Sequence, residues 1–132
     1  MPLYRVAMIE QPFKVGIDLS SFQNPYPEIR LCADESCHTI ADLDQCKGYD
    51  IINIKLDKTG GLTHALSLFK EAKRRGFKVM VGCMVGSALA IRQAFYLAQQ
   101  ADFVDIDAPL LLAESNNYVS FIAKTNGTID FA

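Results

Sequence analysis

Ile51-Ile52-Asn53-Ile54-Lys55-Leu56-Asp57-Lys58-Thr59-Gly60-Gly61 opens with a short run rich in β-branched residues and ends in a polar, glycine-bearing turn. Three of the five residues 51–55 are isoleucine, in keeping with a strand covered on both faces of a parallel sheet, and the run closes on a lysine. Beyond the turn, Leu62, Ala65, Leu66, Phe69 and Ala72 fall at i, i+3, i+4, i+7 and i+10. That spacing places them on one face of a helix over residues 62–75. Lys70, Lys73, Arg74 and Arg75 close its last turn, where cations suit the helix dipole, and Gly76 ends it.

The same strand-then-helix unit recurs outward in both directions. C-terminally, residues 78–82 read as a strand and 103–106 as another. Between them, Leu89, Ala90, Ala94, Leu97 and Ala98 pattern a helix over 87–100 with Ser87 as its N-cap. N-terminally, residues 39–47 read as a shorter helix stopped by Gly48, and 29–33 and 4–9 as strands. Residues 17–28 hold Pro25 and Pro27, so any helix there is short. Strands alternating with helices imply an α/β fold, a parallel sheet with right-handed crossovers. The tail departs from this pattern: residues 118–122 and 128–131, separated by Asn126-Gly127, fit a hairpin.

The 132 residues suit one domain, and with half of them apolar and 21% charged the composition is that of a folding chain. Acidic residues outnumber basic ones 15 to 13, so no cationic excess is available to neutralise a phosphate backbone, which argues against nucleic acid as a partner. No apolar run approaches the ~20 residues of a membrane span, and the first dozen residues do not read as a secretory signal. Cys32, Cys37, Cys46 and Cys83 have no CxxC spacing and read as reduced thiols, so the expected location is cytoplasmic. Cys37 and His38 are adjacent without complementary ligands. His38 and His64 read as surface or capping residues.

Ionisable residues gather where the strands end: Glu10, then Asp34-Glu35, then Lys55 followed by Asp57-Lys58, then Asp105 and Asp107. In parallel α/β folds the C-terminal edge is the ligand side. Two carboxylates from neighbouring strands repel unless a cation intervenes, so Glu10 and Asp34 suggest a hard divalent ion. Lys55 would point at the same space, and a lysine near a metal can have a depressed pKa and act as a general base. Spacing alone is met equally well by solvated strand-end charges. Asp105 and Asp107 share a strand face, which fits a solvated loop start before Pro109, or a carboxylate pair for a substrate ammonium or a metal.

Taken together, Ile9-Glu10-Gln11-Pro12, Ala33-Asp34-Glu35-Ser36, Asn53-Ile54-Lys55-Leu56 with Lys58-Thr59-Gly60-Gly61, Gly82-Cys83-Met84 and Asp105-Ile106-Asp107 resemble the enolase superfamily. Within it they look most like the dipeptide epimerases of the muconate cycloisomerase subgroup. The resemblance spans residues 4–112 and implies part of a (β/α)8 TIM-type barrel, about five strands long, followed by a tail over 113–132. It implies Mg2+ held by carboxylates, with Glu10 and Asp34 as two of its ligands and Lys55 as one acid/base lysine. Asp105 and Asp107 would clamp the substrate's free amino group, and Cys83 and Met84 would line the pocket. The implied substrate is a small carboxylate, preferably a dipeptide. The family's first metal carboxylate, its opposite-face lysine and its capping domain have no counterpart in these 132 residues. The expectation is therefore an isomerase fragment that is not competent alone. The alternative is a binding or assembly module that keeps the fold. An open part-barrel has free edges, so a homo-oligomer or a complementing N-terminal half chain is expected. Asp57-Lys58-Thr59-Gly60 also resembles the phosphorylation loop of P-type pumps, but Gly61 stands where those have Thr or Ser.

Overall fold

The computed structural model describes residues 5–112, 121–124 and 129–131. Five strands, β1 (Met8–Glu10), β2 (Arg30–Ala33), β3 (Ile51–Ile54), β4 (Lys78–Gly82) and β5 (Phe103–Asp105), form one sheet in the order β1-β2-β3-β4-β5. Every neighbouring pair is parallel. Strand order never reverses, so the sheet lacks the switch point of a doubly wound fold and has the sequential order of a barrel.

Burial on the two sheet faces says the same. Leu31, Ala33, Ile52, Ile54, Val79 and Val81 share one core with the helix residues Ala65, Leu68, Phe69, Ile91 and Leu97. Cys32, Ile51 and Met80 form a second cluster, with Met8 and Phe103 packed on it and no helix residue in it. Alternate residues of each strand thus serve opposite faces: helices cover one, and strand side chains fill the other. This is part of a TIM-type barrel with its inner face built from strands alone. Within the described residues β1 and β5 are paired on one side only, and Ile9 and Val104 on these edges are exposed.

The helical connections follow the sequence pattern, with local differences. The 62–75 expectation becomes α2 (Leu62–Arg74), which buries Ala65, Leu68, Phe69 and Ala72. Residues 39–47 wind as a 3-10 helix, Ile40–Cys46. Asp42 Oδ2 accepts from the Thr39 and His38 backbone N–H groups at 2.7 and 3.0 Å and so closes its first turn. Gly48 ends it at φ 97°, with a Cβ there only 2.5 Å from the Leu19 carbonyl oxygen. The single helix expected over 87–100 is divided into α3 (Ala88–Ile91) and α4 (Ala94–Ala98). Arg92 and Gln93 keep right-handed helical angles, but Tyr96 N–H reaches back only to the Gln93 carbonyl, so the path tightens there. Ser87 does cap α3, accepting from Ala90 N–H.

Residues 5–7 do not join β1, which is shorter than the 4–9 expected because its pairing with β2 begins only at Met8↔Arg30. A one-turn helix not anticipated from the sequence, α1 (Leu56–Thr59), follows β3 directly. In the tail, β6 (Phe121–Ala123) and β7 (Ile129–Phe131) pair antiparallel, as a hairpin requires. Residues 118–120 and the Asn126-Gly127 turn of that expected hairpin lie outside the described residues. Cys32, Cys37, Cys46 and Cys83 are all free thiols. Among the described residues no helix is long and apolar enough to cross a membrane.

Candidate functional site

The crest of the sheet is built by side chains that alternate inward above the strand-only cluster. Glu10 closes β1, Asp34 follows β2, Lys55 follows β3, and Gly82 closes β4. Because the strands are adjacent and parallel, these positions meet. Lys55 Nζ lies 2.6 Å from Asp34 Oδ2 and 3.6 Å from Glu10 Oε1. Asp34 is buried. The Glu10 and Asp34 carboxylates thus face the same Lys55 side chain.

Burial and the adjacent Asp34 carboxylate hold Glu10 above the usual carboxylate range, against the opposing pull of Asn53 and Lys55. Burial also acts to raise Asp34. Hydrogen bonds to Lys55 and Lys58 outweigh it, and the Asp34 pKa falls below its ordinary value. For Lys55, burial favours the neutral amine, but the bond to Asp34 and the charges of Asp34 and Glu10 prevail, so its pKa stands above that of a free lysine.

Three residues that sequence reasoning gave no role complete the site. Lys58 Nζ donates to Asp34 Oδ1 and to the Asp34 backbone carbonyl, the latter at 2.7 Å. Asn53 is fully buried, and its Nδ2 donates to Glu10 Oε1 at 2.6 Å, which fixes that carboxylate from β3. Gln11 fixes the Asp34 loop from β1: its Oε1 accepts from Asp34 N–H at 2.8 Å and Ser36 N–H at 3.2 Å, and its Nε2 donates to Ser36 Oγ at 2.7 Å. Gly82 makes room for this cluster. A Cβ at that position would stand 2.7 Å from Asn53 Oδ1 and 3.0 Å from Lys55 Cε.

The remaining expected residues lie further along the same crest. Burial first, and then the charge of Asp107, raise the Asp105 carboxyl, while the Lys55 charge pulls it down. Burial raises the Cys83 thiol, and the charges of Asp105 and Asp107 act in the same direction. Met84 is half exposed. His38 and His64 are both exposed, outside the cluster that Glu10, Asp34 and Lys55 form.

The donor set suits a hard cation. Glu10 and Asp34 both present carboxylate oxygens to Lys55, and the buried Asn53 Oδ1 has no hydrogen-bond partner among the described residues. No group of three or more His, Cys, Asp or Glu that could hold a metal is found among the described residues, so two carboxylates are what this segment offers.

Residues 2–118 match the family model described as enolase C-terminal domain-like. The chain is 53% identical over 116 residues to an N-acetyl-D-glutamate racemase of a Pseudoalteromonas species, covering 86% of this chain and 36% of that protein. It is 50% identical over 111 residues to the L-Ala-D/L-Glu epimerase of Escherichia coli (strain K12), covering 82% and 34%. Among solved structures, it resembles an enolase family member from Agrobacterium tumefaciens with homology to dipeptide epimerases, bound to sodium and L-Ala-L-Glu. The TM-score is 0.84 at 44% identity, over 95% of this chain and 37% of that one. A dipeptide epimerase from Methylococcus capsulatus, complexed with Mg and L-Arg-D-Lys, matches with a TM-score of 0.81 at 31% identity, over 93% and 37%. The chain spans about a third of the length of the relatives it matches.

Proposed function

We propose, from the premise that this chain belongs to the enolase C-terminal domain-like family, that it supplies part of the acid/base and metal-binding machinery of a dipeptide epimerase. Residues 1–112 are the barrel part and 113–132 a tail. The single observation carrying this reading is the convergence of Glu10, Asp34 and Lys55 at the ends of three adjacent parallel strands.

Lys55 moves the α-proton on its own side of the substrate. As the amine it takes the proton from the α-carbon, and as the resulting ammonium it returns one to the same face. Glu10 and Asp34 would hold Mg2+, which when bound supplies the positive charge that offsets electron density building on the substrate carboxyl as the α-proton departs. Asn53 and Gln11 keep the two carboxylates aligned. Asp105 and Asp107 offer paired negative charge to a substrate ammonium, which favours a free-amino dipeptide. An N-acylated amino acid, the substrate named for one relative, has no cation to meet them. Inverting a centre requires an acid/base group on each face of the α-carbon. Beside Lys55 the described residues add only Lys58, which is tied to Asp34. Inversion therefore calls for a second acid/base group from outside the described residues.

The test is α-proton exchange. The chain is mixed with Mg2+ and L-Ala-L-Glu in deuterated water and followed by NMR. Exchange without inversion, abolished by Lys55→Met, supports the reading. No exchange at saturating Mg2+ favours a non-catalytic module instead.

A further inference from the structure

Two lysines share one aspartate at this crest, and their surroundings differ. Lys58 Nζ has an acceptor for each of its three N–H bonds: Asp34 Oδ1, the Asp34 carbonyl at 2.7 Å and the Asn53 carbonyl at 3.5 Å. Two of these acceptors are backbone atoms on β3 and at the end of β2, so they cannot swing away. Lys55 has no backbone acceptor; its partners are Asp34 Oδ2 and, more distantly, Glu10 Oε1, both on side chains. The one-turn helix α1 creates the contrast. Lys55 is its N-cap and Lys58 lies three residues on, so one turn brings both to the same side. Lys58 N–H bonds the Lys55 carbonyl at 3.0 Å, which fixes the turn.

We infer that Lys58 is a positioning residue: it clamps the Asp34 carboxylate between β2 and β3, leaving Lys55 as the mobile lysine of the pair. This deepens the reading above and rests on it for the reaction served. A side chain held by three acceptors, two of them backbone carbonyls, is not free to swing toward a substrate. It carries part of the Asp34 charge and keeps Oδ2 turned toward Lys55.

Site-resolved lysine acylation tests the assignment on the whole chain without any turnover. A small acylating reagent is applied briefly, and each lysine is quantified by mass spectrometry. In the wild-type chain Lys58 should be labelled at least tenfold more slowly than Lys55, although both side chains are nearly as covered, at 11% and 16% exposed. Asp34→Asn should speed Lys58 labelling about tenfold while exposed Lys47 and Lys70 stay unchanged. Lys58→Met releases the clamp on Asp34 and should speed Lys55 labelling about fivefold, and Lys58→Arg should restore the wild-type Lys55 rate. A residue with a merely structural role would leave the Lys55 rate unmoved. Equal labelling of Lys55 and Lys58 in the wild-type chain overturns the inference, and this ratio decides the matter even where a variant fails to fold. The contrast does not depend on α-proton exchange, so a negative exchange experiment counts against the functional reading alone.

Discussion

Replacing Gly82 with alanine should disturb the crest, chiefly through its approach to Asn53. The added Cβ stands 2.7 Å from Asn53 Oδ1, about 0.7 Å inside the 3.4 Å at which ordinary contact begins. Asn53 has no solvent to retreat into, being fully buried, and its amide is held by the 2.6 Å bond to Glu10. Overpacking of this kind costs about 1–3 kcal/mol, and loosening a hydrogen bond to a charged group costs about 1.5–3 kcal/mol. The two overlap, since the same amide movement relieves one and breaks the other, so the expected loss is about 3 kcal/mol. At an m-value of about 1.5 kcal/mol/M that lowers the urea midpoint by about 2 M. Urea unfolding followed by far-UV circular dichroism measures it. Asn53→Ala removes the obstructing amide, so Gly82→Ala in that background should cost under about 1 kcal/mol, a coupling of about 2 kcal/mol between contacting residues. Additive effects of the two substitutions, or a Gly82→Ala midpoint within about 0.3 M of wild type, would refute the close-approach account.

Four further outcomes follow from the same geometry. Asp105→Asn should weaken use of a free-amino dipeptide about 10- to 100-fold, the worth of one charge-assisted bond, and leave N-acetylglutamate unaffected; equal losses on both would remove the ammonium role. Gly48→Ala should cost about 3 kcal/mol in the same urea assay, because φ 97° and the Leu19 carbonyl at 2.5 Å both oppose a side chain. Asp102 bonds Lys73 Nζ and the Val79 N–H, each at 2.8 Å, and these hold its carboxyl below the ordinary range. Its contribution is therefore complete above the unfolded carboxyl value of about 3.9 and is lost as pH falls through the lower folded value. The stability gap between wild type and Asp102→Asn, read by unfolding at successive pH values, should be constant near neutrality and close below about pH 4. Sedimentation velocity should detect self-association through the β1 and β5 edges, and a monomer unaffected by concentration would count against a second copy as the partner.

The parts of the fold visible in the sequence are those that depend on one chain segment at a time. The β-branched run at 51–54 and the apolar face of α2 each bury one side against the same core, so periodicity alone locates them. Segment ends resisted the same reasoning. β1 is shorter than its apolar run because an edge strand is defined by where its one neighbour begins, and that register is not local. The division of α3 from α4 at Arg92 and Gln93 leaves the apolar spacing intact, so nothing in the pattern marks it.

The site divides along a similar line. Charged residues at strand ends are conspicuous because strands end in few ways, and Glu10, Asp34 and Lys55 could be named from that alone. Asn53 and Gly82 are invisible by the same rule: a buried asparagine and a strand glycine resemble packing choices until the inward face of the sheet is known. Gln11 is hidden because it acts across strands on the Asp34 loop. Lys58 did have a local signature. A lysine three residues beyond a strand-ending lysine, followed by Gly60-Gly61, is the spacing of one helical turn closed by a left-handed residue, and Gly60 takes φ 80° there. Read as a loop, Lys58 points anywhere; read as a turn of helix, it must return to the side of Lys55. The chemistry at this crest thus depends on a four-residue helix too short for hydrophobic periodicity to register, and its only advance notice is the spacing of two cations and two glycines.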